Sequence, residues 1–152
     1  MQVVNVITLC CGRHDLYSRM LDSFIKNIVF ENNNMFFNFF VHDDSGSDEL
    51  RSKIENILID KTRKLKNCSH YFYHSGVNVG QTKSMIRLVS NANFSDEDII
   101  FQIEEDFTID EKISIEKYLN LWKEWETDNK NNLPNLPSKL MQIIFRTDAH
   151  SD

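Results

Sequence analysis

Apolar positions along the chain follow two alternating rhythms. Residues 3 to 9, VVNVITL, form a β-branched run of strand length, and the CCGRHD that follows supplies Gly12 and Asp15 for a turn and a helix start. Tyr17, Met20, Leu21, Phe24, Ile25 and Ile28 then recur at helical spacing, which predicts an amphipathic helix over residues 15–29.

The unit repeats three times. Residues 36–42, FFNFFVH, read as a second strand running into DDSGSDE, and Leu50, Ile54, Ile57 and Leu58 mark a helix with Ser47 as N-cap and Asp48 and Glu49 suited to its dipole. HYFYHS predicts a third strand and GVNVGQ a turn; Thr82 is placed as the cap of a helix with Met85, Leu88 and Val89 facing inward. DIIFQIEEDFTI, residues 98–109, is the fourth strand, read as buried, and Ile115, Tyr118, Leu119, Trp122 and Trp125 define a fourth helix with the two tryptophans in its core face. The prolines of DNKNNLPNLPS mark a loop at 128–138 before a last apolar run, KLMQIIF.

Strands alternating with helices imply an α/β fold: an open, Rossmann-like three-layer sandwich with a mainly parallel sheet, joined by right-handed crossovers. The chain reads as a single domain over residues 1–152. With RTDAHSD directly after the last apolar run, that domain is expected to be cut short at its C-terminus.

Composition narrows the function classes. The chain has 152 residues, 41% hydrophobic and 26% charged, as in one ordinary globular domain with a substantial core. A net charge of −6 and a pI near 5.3 argue against sequence-independent nucleic-acid binding, which needs a basic face. MQVVNVITLCCGRHD has too short an apolar run, with no basic region before it, for a signal peptide or membrane span, so the expected location is the cytoplasm. Cys10, Cys11 and Cys68 have no zinc-like spacing and read as free thiols, and His14, His42, His70, His74 and His150 follow no metal spacing. The asparagine runs ENNN and NKNN read as nucleotide bias in the gene and carry no function.

In an open α/β sheet, ligands bind beyond the carboxyl ends of the strands. Read strand end by strand end, the candidates are Thr8 and Arg13; Asp43 and Asp44; Asn78, Gly80 and Lys83; and Glu104, Glu105 and Asp106. Five acids in one cleft repel one another unless a cation relieves them. Mg²⁺ or Mn²⁺ held by one or two carboxylates and ligand phosphates would do so, and the phosphates would in turn suit Arg13 and Lys83. Each motif alone has a blander meaning: EED a solvated acidic turn, DDSGSDE a turn with a helix cap, GVNVGQTK a glycine-shaped turn with neither dinucleotide nor P-loop spacing. The stretch from Asp44 to Glu55 also fails as a calcium loop, because Gly46 and Glu49 sit where a ligand and the required glycine belong.

Taken in order, VVNVITLCCGRHDLYSRMLDSF, FFVHDDSGSDE, GVNVGQTKS and IIFQIEEDFTI resemble the successive nucleotide-binding blocks of GT-A fold, family 2-like glycosyltransferases. The resemblance spans residues 3 to 110. It implies that Thr8 and the loop to Arg13 line a nucleotide pocket, that Asp43 accepts a hydrogen bond from the base, uracil in a UDP-sugar, and that Asp44 supports the loop or nucleoside. Asn78 and Gly80 would shape the pocket wall, with Lys83 near the base or diphosphate. Glu104 and Asp106 match the two acids of a DxD motif, Asp106 as direct metal ligand and Glu104 near the ribose or the ion's water shell, with Glu105 in the middle position. The chain departs from the family pattern in the glutamate at 104, in DDSG for DDGS, and in Ile86 for an asparagine.

The implied reaction is transfer of a sugar from a nucleoside diphosphate to an unknown acceptor. The ion would neutralise charge on the departing diphosphate, and an inverting enzyme would add a general base. In the family that base lies in a later segment. Here only Asp148, His150 and Asp152 remain to supply it, so the chain could bind the donor without catalysing transfer. The competing expectations are a nucleotidyltransferase, which needs a basic glycine-rich loop where CCGRHD stands, and a non-catalytic interaction domain whose acids form a solvated edge.

Overall fold

A computed structural model of the chain describes residues 1–95 and 98–129. Contacts group the chain into two compact units, Met1–Ile115 and Glu116–Asp152. The first holds β1 (Val3–Cys10), α1 (His14–Phe24), β2 (Phe36–Asp43), α2 (Asp48–Thr62), β3 (Cys68–His74), α3 (Gln81–Ala92) and β4 (Ile99–Gln102); α4 (Ile115–Asn129) belongs essentially to the second. The four strands form one sheet in the order β3-β2-β1-β4, every neighbouring pair parallel. The protein is thus an α/β sandwich of open, Rossmann-like type.

Register explains the layers. Because β1 pairs with β2 as Val4↔Phe37, Val6↔Phe39, Thr8↔Val41 and Cys10↔Asp43, these residues share one face of the sheet. There α1 packs through Phe24, whose ring meets Phe37, Phe39 and Phe101 edge-on, with centroids 5.2–6.3 Å apart. The alternate residues Ile7 and Phe40 pack with Leu88 of α3 on the opposite face, where Phe40 also stacks on Tyr71. Helices therefore cover both sides.

Four details differ from the sequence expectations. β4 is a four-residue strand, at the edge of the sheet among the described residues, and not a buried one: Ile100 is 46% exposed, and the chain leaves the sheet at Ile103, whose amide donates to the Ile7 carbonyl. α3 is capped by Gly80, not Thr82, which falls inside its first turn, and Val89 is exposed while Leu88 and Ser84 are buried. The helix expected over 15–29 widens into a π-helical turn at Ile25–Val29. Trp122 and Trp125 stack on each other on α4, but Trp125 is exposed.

Ser47 does cap α2, accepting from Leu50 N at 3.4 Å. No helix among the described residues is long and apolar enough to cross a membrane. The KLMQIIF run, most of the predicted loop, and Asp148, His150 and Asp152 lie outside the described residues.

Candidate functional site

The strand order sets the place. The chain proceeds from β1 to β2 to β3 on one side, then returns to lay β4 against the other side of β1, so the connections diverge between β1 and β4. That topological switch point is where such sheets open a crevice. All the predicted strand-end residues from Thr8 to Asp106 belong to this carboxyl rim, and Asp43 and Asp106 are separated only by the end of β1.

Glu105, the middle acid, is the one the fold buries, at 1% exposure. Both its oxygens stand 3.1 Å from the Cys11 amide, and Oε1 accepts from Arg13 Nε at 2.6 Å. The same guanidinium donates through Nη1 to Asp106 Oδ2 at 2.9 Å, so one side chain from the β1–α1 loop bridges two acids beyond β4. The bond to Glu105 leads the causes that raise Arg13 above the ordinary arginine value. Glu104 is exposed, and its carbonyl accepts from Phe107 N to close the turn.

Asp44, also buried, spends its two oxygens on consecutive amides of the next loop, Val79 at 2.7 Å and Gly80 at 2.8 Å. This carboxylate fixes where α3 begins, and it is why Gly80 rather than Thr82 sits at the cap. Gly12 and Gly46 let the loops touch. A Cβ on Gly12 would lie 2.7 Å from Leu50 Cδ1, and one on Gly46, where φ is +68°, would lie 2.9 Å from Asn78 N. The glycine of DDSG is thus required at position 46 by its close approach to the Val77–Asn78 backbone.

Asp43 is different. Its Oδ2 accepts from Ser45 Oγ at 2.6 Å, but Oδ1 is buried with no hydrogen-bond partner among the described residues, in a side chain only 1% exposed. Three other buried polar atoms share that condition, on Tyr17, His42 and Ser84; Asp43 alone is a carboxylate. Thr8 is buried on the same face of the sheet, two pairs before Cys10↔Asp43.

Burial first, then the Glu105 carboxylate, pushes the Cys10 and Cys11 thiols upward, so both are protonated at neutral pH and neither is an activated nucleophile. Cys11 Sγ instead receives Asn78 Nδ2 at 3.5 Å. Lys83 stands exposed in the first turn of α3 and makes no ion pair among the described residues.

Within the chain itself, the acids find the following partners. Backbone amides satisfy Asp44, an amide and Arg13 satisfy Glu105, Arg13 satisfies Asp106, and Ser45 satisfies half of Asp43. No group of three or more His, Cys, Asp or Glu side chains that could hold a metal ion is present among the described residues. Of the acids expected to meet Mn²⁺ or Mg²⁺, Glu105 has its oxygens committed and Asp106 gives Oδ2 to Arg13, so an all-carboxylate cage does not fit; Asp106 Oδ1 and the exposed Glu104 carboxylate make no hydrogen bond among the described residues.

Two features had no forecast. A polar chain crosses the α3 face, with Arg87 Nη1 donating to Ser75 Oγ at 2.8 Å and Ser75 lying 3.2 Å from His42 Nε2. Arginine can only donate, so Ser75 Oγ is an acceptor towards Arg87, and His42 Nδ1 is left buried with no partner among the described residues. Buried asparagines also hold the segment after the acids. Asn32 donates to Ile113 O and Ile28 O and accepts from Ile115 N, Asn27 donates to Ile109 O, and the Asn27 carbonyl in the π-helical turn accepts from Ile113 N.

The chain matches no family model, no curated protein and no solved structure.

Proposed function

We propose that the chain is the donor-binding part of a glycosyltransferase of GT-A type, taking a nucleoside-diphosphate sugar, with uracil as the preferred base, at the carboxyl rim between β2, β1 and β4. The observation that carries this reading is the Asp43 Oδ1 oxygen, buried beside the end of β1 with no donor among the described residues. A buried acceptor without a partner is costly, and the imide N–H of a uracil ring is the kind of donor that would relieve it. The parallel sheet, its switch point and the loops locked around it are consistent with a nucleotide crevice. Arg13 and Lys83 supply positive charge for the diphosphate, and the sugar and its acceptor would lie further out.

Calorimetric titration with UDP tests it. Wild type should bind UDP more tightly than CDP, whose ring lacks the imide proton, and Asp43→Asn should weaken UDP without unfolding the chain. Absence of UDP binding by the wild type under all metal conditions would sink the reading.

The internal satisfaction of Asp44 and Glu105 favours a second reading, a non-catalytic interaction domain in which the acids only fasten loops. In that case Asp43→Asn leaves every nucleotide titration unchanged.

A further inference from the structure

We propose that Arg13 is the resident counter-charge of this rim: it stands at the β1–β4 switch point where a divalent ion would otherwise be needed, it meets the ligand's phosphates, and nucleoside-diphosphate binding here requires no metal. The inference rests on the nucleotide-binding reading above.

The geometry is specific. Arg13 Nε is tied to buried Glu105 at 2.6 Å and Nη1 to Asp106 at 2.9 Å, which orients the guanidinium across the crevice from one strand end to the other. Its side chain is 50% exposed, and Nη2 makes no bond among the described residues. A guanidinium carries five donors, so two acids leave the Nη2 pair and one Nη1 hydrogen for a phosphate. Glu105 acts here as a positioning residue: with its other bonds on the Cys11 amide, it holds the arginine in a fixed pose instead of leaving it to wander.

The same bonds disfavour an ion in the bare protein. A divalent cation at Asp106 would either displace Nη1 from Oδ2 or bind Oδ1, and in both cases would stand beside a positive charge anchored by a buried carboxylate. Asp43, whose unpartnered Oδ1 independently points to a ligand, lies across the end of β1 from this arginine. Base and phosphate contacts would thus flank one strand end.

The test uses the full chain in titrations with UDP and with uridine, each in EDTA and in Mn²⁺, while electron paramagnetic resonance follows free Mn²⁺. Wild type should bind UDP equally in EDTA and Mn²⁺ and leave the free-ion signal unchanged when UDP is absent. Arg13→Gln should lose about tenfold or more in UDP affinity in EDTA, as expected for a charged hydrogen-bonded contact, while uridine binding stays the same. Asp106→Asn removes a negative charge beside the phosphate while its amide oxygen can still accept from Nη1, and should keep or improve UDP affinity, which guards against a misfolded Arg13 variant.

UDP binding that appears only with Mn²⁺ overturns the inference and leaves the nucleotide reading intact. So does equal loss of uridine and UDP in a folded Arg13→Gln. No binding of UDP or uridine in any condition overturns both.

Discussion

Asp44 and Gly80 are joined across 36 positions of sequence by a 2.8 Å bond from the Gly80 amide to Oδ2, while the other oxygen takes the neighbouring amide of Val79. The end of β2 thereby dictates the start of α3. An acid that would pass as half of a ligand-binding pair is, in the fold, a clasp between two loops.

Asp44→Ala removes that clasp and leaves two amides without their acceptor. The expected cost is about 3 kcal/mol, which for a chain of this size lowers Tm by roughly 6–12 °C. Thermal and urea denaturation followed by circular dichroism would measure it, and Asp44→Asn should recover part of the loss by keeping one acceptor oxygen.

Asn32 and Asn33 are adjacent in an asparagine run but differ in role. Asn32 is 2% exposed and bonds three backbone groups, whereas Asn33 is exposed. Asn32→Ala should cost about 2–3 kcal/mol and speed amide exchange at Ile115, while Asn33→Ala stays within about 0.5 kcal/mol of wild type.

Gly46→Ala places a Cβ against Asn78 N at a left-handed φ, so a loss of about 2 kcal/mol or more is expected. Gly76 has open space around it and no positive φ. Gly76→Ala should therefore be neutral or more stable by less than about 1 kcal/mol, through restriction of the unfolded chain. Equal effects in chemical denaturation would contradict the interlocked loops.

Stability should fall as the pH drops below 6.5, the ordinary histidine value. Burial holds the His42 imidazole below that value, reinforced by Arg87 and His74 and opposed by Asp44 and Asp43. The unfolded chain then binds a proton the native state refuses, so the contribution is complete above pH 6.5 and is lost as acid drives the pH toward the folded value. The slope from this group cannot exceed about 1.4 kcal/mol per pH unit. His42→Asn should flatten the profile between pH 7 and 5.5 in denaturant titrations.

Much of the sheet was legible because Val3–Cys10 and Phe36–Asp43 are long apolar runs bounded by polar turns, which leave few alternatives to parallel strands in an alternating chain. β4 misled because Ile99, Ile100, Phe101 and Ile103, broken only by Gln102, make a mostly apolar stretch whether the strand is central or at an edge; strand order decides which, and periodicity does not record it. The rim acids were visible, but their division of labour was not. Which of Glu104, Glu105 and Asp106 turns inward depends on the tight turn after Ile103 and on Arg13, a residue more than ninety positions away. Asn32 was overlooked for a related reason: composition treats a run of asparagines as one object, while burial selects a single member.

The bonds from Cys11 and Arg13 to Glu105 and Asp106 join residues 92 to 94 positions apart, which gives the molecule a schedule as well as a shape. On the ribosome, the first three strands can meet in the order they emerge, but the arginine waits for acceptors made most of a domain later. Distant closures of this kind are slow to form, so this rim closes later than the contacts between neighbouring strands. A nascent chain arrested before residue 105 would leave Arg13 without the acids that hold it, however complete its sheet had become.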